Sequence, residues 1–276
     1  MKKYLALILA LAMVFALAAC GQSAQPAATE APAASEEPVA EAEEAAPAEE
    51  PAAEEPAAEE ATEEAPAEVA LMSYAEFAAA AIDDPVCVET YVQAKQSWWD
   101  NKATVYTQDQ DGAYFLYNMG CSEEDYAKLV PGQKIRVTGY KAEWSGEVEI
   151  VDATYELLDG DNFVATAADV TDLLGKDELI DHQNQLVCFK GMTVEASDGG
   201  AAFVFKNGEE GNDIYFKVSV NGAIYDFTVE SYLRGAGTEV YEAVKQLNVG
   251  DVIDLEGFLY WYEGANPHII AVAPAA

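Results

Sequence analysis

Positive charge is what this 276-residue chain has least of: 14 Lys and Arg stand against 50 Asp and Glu, a formal net charge of -36. Arginine occurs only as Arg136 and Arg234, and histidine only as His182 and His268. Two arginines cannot build the cationic cluster beside carboxylates that secreted nucleases on small barrels require. The two histidines fall into no Ser-His-Asp or Cys-His order. His182 sits in the polar run Asp181-His182-Gln183-Asn184 and His268 at the start of a strand, so both read as surface or strand-edge residues. There is no Gly-rich phosphate loop, no His-Glu-x-x-His and no Cys-x-x-Cys. Asp109-Gln110-Asp111-Gly112 begins like a calcium loop, but Gly120 stands where the closing glutamate belongs, so a hairpin turn explains it better. No enzyme, metal site or cofactor is therefore expected. Long apolar runs are missing too: the N-terminal one falls short of the roughly 20 residues a spanning helix needs.

That N-terminus is nonetheless distinctive. Lys2 and Lys3 precede an almost wholly apolar Tyr4 to Phe15, and Leu17-Ala18-Ala19-Cys20 places small side chains before a thiol, followed by Gly21. Small residues admit a peptidase, and a cysteine there can take a diacylglycerol. The arrangement resembles the lipobox of bacterial lipoproteins. The resemblance implies an export signal over residues 1–20 and a lipidated Cys20 carrying diacylglycerol and palmitate. The mature chain would then be extracytoplasmic, anchored to the cell membrane at the bacterial surface. A plain secretory signal is the alternative.

Residues 21–69 form an Ala/Pro/Glu stretch with near-repeats at Pro51 and Pro56. From Gln22 to Val69 it holds 15 glutamates and no Asp, Lys or Arg. Recurrent prolines and like charges predict a disordered tether reaching roughly 150 Å at about 3.1 Å per residue. The remainder keeps 12 basic and 35 acidic residues, or -23. Its field should repel phosphate backbones, which argues against nucleic acid as a partner unless a local cluster such as Lys128, Lys134, Arg136 and Lys141 intervenes. Setting Cys20 aside leaves Cys87, Cys121 and Cys188, an odd number that closes no disulfide framework. Cys87 and Cys188 sit in apolar strand-like runs and read as buried, with a Cys87–Cys188 bridge as the minority alternative.

The rest of the chain repeats itself. Leu129 to Tyr140 aligns with Leu247 to Phe258 in the frame Leu-x-x-Gly-x-x-Ile-x-(Val/Leu)-x-Gly-aromatic. The first glycine ends a turn, alternating apolar residues face a core, and the second permits a bulge. Each copy reads as three strands, a short helix and two strands. In copy one the strands fall near 86–95, 103–108, 113–119, 134–143 and 147–153. The helix spans 123–129 with Ser122 as N-cap, and Asp111-Gly112 makes a turn. In copy two they fall near 186–195 and 202–205, then in a long hairpin through 214–220 and 223–229, then near 252–262 and 268–272. The helix spans 239–247, and Asn221-Gly222 makes the strongest hairpin signal. Short leading helices are expected after the Ser73–Glu76 capping box and over 169–174. This order resembles that of OB-fold domains. The resemblance implies a mainly β protein of two tandem five-stranded OB-like barrels over 70–158 and 159–276, each with a helix between strands three and four.

Aromatic residues are the candidate binding resource. Trp98 and Trp99 are adjacent, so at least one should be exposed. Tyr140 and Trp144 lie on the face opposite Ile135 and Val137, and the repeat puts Phe258 and Tyr262 at matching positions with Tyr260 between them. Rings beside carboxylates suit a sugar, and equally the stacked bases of a single strand. A bulge at either frame glycine could instead turn these rings inward. The expectation is a surface-anchored, non-catalytic binding lipoprotein whose ligand is a glycan, a cell-wall component or a protein. The alternative is a single-stranded nucleic-acid-binding OB-fold protein.

Overall fold

The computed structural model describes residues 69–275; the signal, Cys20 and all of the tether up to residue 68 lie outside the described residues. In chain order the elements are α1 (Tyr74–Ala79), β1 (Pro85–Lys95), β2 (Lys102–Gln108), β3 (Ala113–Gly120), α2 (Glu123–Tyr126), β4 (Lys134–Trp144) and β5 (Glu147–Leu157). There follow β6 (Ala168–Asp169), β7 (Leu186–Glu195), β8 (Phe203–Phe205), β9 (Ile214–Val220), β10 (Ala223–Val229), α3 (Glu239–Val244), β11 (Val252–Phe258) and β12 (His268–Pro274).

These strands close into two tandem OB-like barrels. The first runs β1-β2-β3-β5-β4, with β4 returning to β1 and a short parallel contact between β3 and β5. The second repeats that order as β7-β9-β10-β12-β11, with β11 returning to β7 and β10 parallel to β12. The strands β6 and β8 lie alongside β7 and β9. In both barrels the helix connects strands three and four. Each barrel encloses its own core: Val88, Leu116, Ile135, Val137 and Ile150 in the first, Phe189, Val218, Phe227, Leu255 and Ile269 in the second.

The local signals explain the elements. Ser73 and Glu76 form a reciprocal capping box at α1, and Ser122 accepts the Asp125 N–H at α2. Asn221 (φ 53°) and Gly222 (φ 83°) both adopt the left-handed conformation that a tight hairpin turn between β9 and β10 requires. The frame glycines do break the ladder, at Thr138/Tyr140 and at Glu256/Gly257. A Cβ on Gly257 would lie 2.4 Å from the His268 carbonyl oxygen, and one on Gly139 would lie 2.7 Å from that of Val151. Backbone approaches that close admit only glycine. Beyond the first bulge Lys141 turns inward, and its Nζ donates to the carbonyls of Phe77, Ala78 and Ala80 at 2.8–3.0 Å, fastening the end of α1 to the barrel.

Several boundaries differ from the sequence reading. The helices α2 and α3 each end three residues early, less than one turn short, their final residues forming turns that lead Leu129 and Leu247 toward the cores. β5 extends to Leu157 because β4 pairs with it that far. The leading segment of the second copy is a 3-10 turn at Thr171–Leu173, held by the Asp169 carboxylate and ended by Gly175; a further 3-10 helix covers Asp177–His182. β11 stops at Phe258, so Tyr260 and Tyr262 leave the sheet in a loop. Cys87, Cys121 and Cys188 are all buried free thiols, so no Cys87–Cys188 bridge forms.

Candidate functional site

The two barrels meet across a small apolar seam. Ala94, Tyr106 and Phe115 come from β1, β2 and β3, and Leu233 and Phe258 from the second barrel. Tyr106 stacks on Phe258 with ring centroids 4.4 Å apart and planes at 18°, and Phe115 meets Tyr260 edge-on at 5.4 Å. Hydrogen bonds frame the seam. Gln183 Nε2 donates to the Gly146 carbonyl, Asn184 Nδ2 to the Val148 carbonyl, the Leu186 N–H to Gln108 and the Ser97 N–H to the Tyr232 carbonyl. Aromatic contact plus satisfied backbone bonds makes this a built junction between the barrels.

An open cleft of about 680 Å³ lies along that junction. Trp99, Phe115, Tyr117 and Trp144 line it from the first barrel, and Tyr232, Tyr260 and His268 from the second. Trp99 is 71% exposed and Tyr232 66%, so these two rings stand free in solvent. Trp144 reaches across to Tyr262, with ring centroids 5.2 Å apart. Polar lining is supplied by Lys102, Thr104, Asn118 and Glu149 on one side and by Lys206, Asp213 and Glu230 on the other.

Burial raises three of the acids in this region and a fourth is lowered. Burial raises Glu147 to about 8, although its Oε2 accepts the Trp261 N–H at 2.8 Å and Gln183 Nε2 at 3.2 Å; its Oε1 is buried with no partner among the described residues. Burial raises Glu230 to about 7, even with two backbone N–H donors from Tyr232 and Leu233, and it raises Glu149 as well. Asp213 behaves oppositely. Burial would raise it, but hydrogen bonds from Ser231 and the Lys206 ammonium at 3.0 Å leave it lowered. Burial pushes His268 down to about 4, so its ring is neutral. The cleft thus offers rings for stacking, neutral or singly charged hydrogen-bonding groups on its floor, and two lysines near its rim.

Of the residues singled out from sequence, Trp99, Trp144 and Tyr260 come together in the cleft and Tyr262 packs on its edge. Phe258 is buried beneath Tyr106 in the seam, facing outward from its own barrel but covered by the other. Tyr140 is exposed on a separate face, and Trp98 donates its indole N–H to the Cys121 carbonyl at 2.9 Å, outside the cleft. The bulges therefore do not turn Tyr140 or Trp144 into a core. The cationic cluster expected from sequence is committed elsewhere: Lys134 and Arg136 pair with Glu89, Lys128 with Asp125, and Lys141 with α1. His268 is a correction. It does begin the last strand, but it is 7% exposed and held inside the junction, because the other barrel covers that strand end. Tyr117, Tyr232 and Glu230 were not anticipated, since no local pattern marks which barrel faces meet. Among the described residues no cluster of three His, Cys, Asp or Glu is placed to hold a metal ion, and no helix is long and apolar enough to cross a membrane.

No family model and no curated protein matches this chain. Among solved structures, the chain is similar to a murine DNA-binding protein bound with double-stranded DNA (TM-score 0.35, 12% identity, 70% of this chain and 97% of that one). It is similar also to the HINa domain of Ifi202 in complex with 20-bp double-stranded DNA (TM-score 0.33, 12% identity, 70% and 96%). A third is a replication protein A heterotrimer bound to single-stranded DNA (TM-score 0.31, 12% identity, 70% and 49%). At such identities the likeness concerns fold. Nucleic acid was set aside on charge, whereas these three neighbours are bound to DNA, and that expectation is withdrawn.

Proposed function

We propose that the paired barrels are a non-catalytic binding module whose inter-barrel cleft takes the unpaired bases of a single nucleic-acid strand. The observation that carries this reading is the cluster of accessible rings, Trp99, Tyr117, Trp144 and Tyr232, gathered from both barrels around one cleft. Stacking on aromatic side chains is worth about 1–3 kcal/mol per base and tolerates any sequence. Lys102 supplies a cation for a flanking phosphate, while Lys206 is paired with Asp213. One observation favours a second reading: Glu149 and Glu230 stand among the rings as acceptors for hydroxyl groups, which suits a sugar.

Tryptophan fluorescence during titration with an oligothymidylate tests both readings. Saturable quenching is expected, with the dissociation constant raised at least about fivefold in Trp99→Ala and in Trp144→Ala. Quenching by a soluble glycan in place of the strand moves the assignment to the second reading, and silence toward both removes the cleft as a ligand site.

We also propose that the chain is a lipoprotein held at the outer face of a bacterial membrane through Cys20, the acidic stretch up to residue 69 serving as its tether. The support is the order of charged, apolar and small residues before Cys20. Cys20→Ala is expected to move the protein from the membrane fraction to the soluble one; unchanged membrane retention removes the anchor.

A further inference from the structure

His268 opens β12 on the cleft floor, nine-tenths buried, and its ring stacks under Tyr260 with centroids 4.4 Å apart and planes at 21°. Its Nδ1 lies 2.7 Å from the Tyr106 hydroxyl. That hydroxyl is fully buried and has no other hydrogen-bond partner among the described residues. If Nδ1 carried the proton and donated it, the tyrosine's own O–H would be left buried with nothing to accept it, the costly outcome for a polar group. The hydroxyl therefore donates to Nδ1, and the imidazole proton resides on Nε2. Nε2 has no protein partner among the described residues, on a side chain that lines the cleft.

We propose that His268 is the specificity-determining residue of the cleft, fixed by Tyr106 as the Nε2–H tautomer so that it donates a hydrogen bond to a ring nitrogen or carbonyl on the edge of a bound base. This rests on the reading of the cleft as a site for unpaired bases. The surroundings support a fixed neutral donor. Burial keeps the imidazole from protonating near neutrality, against the pull of Asp213, and Glu149 and Glu230 on the same floor are acceptors that match the donor groups of a base edge. A rotating sugar hydroxyl could adapt to either tautomer, whereas the carbonyls and bare ring nitrogens of a base edge are fixed acceptors that pair only with a donor. Tyr106 acts through His268 and is a positioning residue.

Two measurements on the full chain test the proposal. Long-range proton–nitrogen NMR of the two imidazoles should show His268 with a protonated Nε2 and a bare Nδ1; a protonated Nδ1 overturns it. Tyr106→Phe keeps the stack on Phe258 and should weaken oligothymidylate binding about tenfold, while leaving an abasic strand of equal length unchanged. Equal effects on both strands, or none on either, overturn the role of His268 while the cleft stands. If the wild-type protein binds no strand, or Trp99→Ala and Trp144→Ala bind as well as it does, the cleft reading itself fails and this proposal with it.

Discussion

Phe258→Ala is expected to convert one cooperative unfolding transition of the two barrels into two, with the second barrel melting first. Phe258 is 1% exposed, yet it contributes nothing to the interior of its own barrel; it fills the seam against Tyr106. Removing a buried phenylalanine costs about 3–5 kcal/mol through lost transfer energy and the cavity left behind. Here that loss falls on the coupling between barrels, since each core is closed without it. Tyr106 would face the gap and lose its stacking partner, so the hydroxyl it holds against His268 on the cleft floor should loosen as well. Differential scanning calorimetry reads the outcome directly. A single transition at the wild-type temperature would mean that the hydrogen bonds around Gln183, Asn184 and Leu186 hold the barrels together unaided.

Stability should fall by about 2 kcal/mol between pH 6.5 and 8, and Glu147→Gln should remove most of that fall. Glu147 has an ordinary value of 4.5 when unfolded and about 8 in place, so the unfolded chain is ionised through this window while the folded chain keeps its proton. The folded state binds more protons, and stability therefore declines as pH rises. Glu230, raised to about 7, adds to the decline at the lower end. Below pH 6.5 the sign is mixed: unfolding there lets His268 gain a proton, because its folded value is about 4, and this opposes the carboxyls. The upper window isolates the acids. Glu147 Oε2 accepts from two groups of the second barrel, Trp261 and Gln183, so ionisation strains the junction first. Denaturant titrations at a series of pH values supply the slope. A flat wild-type profile from 6.5 to 8 contradicts the account.

Much of the architecture could be read from residues alone. The Gly-x-x-Ile-x-(Val/Leu)-x-Gly frame marks both fourth strands and both bulges, since only glycine allows the approach of Val151 and His268 backbone. Asn221-Gly222 fixes a hairpin register, and Ser73 with Glu76 fixes a helix start. These are local rules, carried by neighbours in sequence. The site is different. Tyr106, Phe115 and Phe258 alternate as outward-facing strand residues, and nothing near them in sequence says that the other barrel will cover them. His268 illustrates the same gap: a polar residue at a strand start reads as exposed until a second domain is laid against it.

Both barrels contribute rings to one aromatic cleft, the proposed site of a ring-bearing ligand. NMR of the four tryptophan indoles during titration with an oligothymidylate addresses it most directly. The Trp99 and Trp144 signals are expected to shift together and saturate at one concentration, while Trp98, bonded to the Cys121 carbonyl, stays in place. Saturable binding that leaves Trp99 and Trp144 unmoved would place the ligand elsewhere and contradict it.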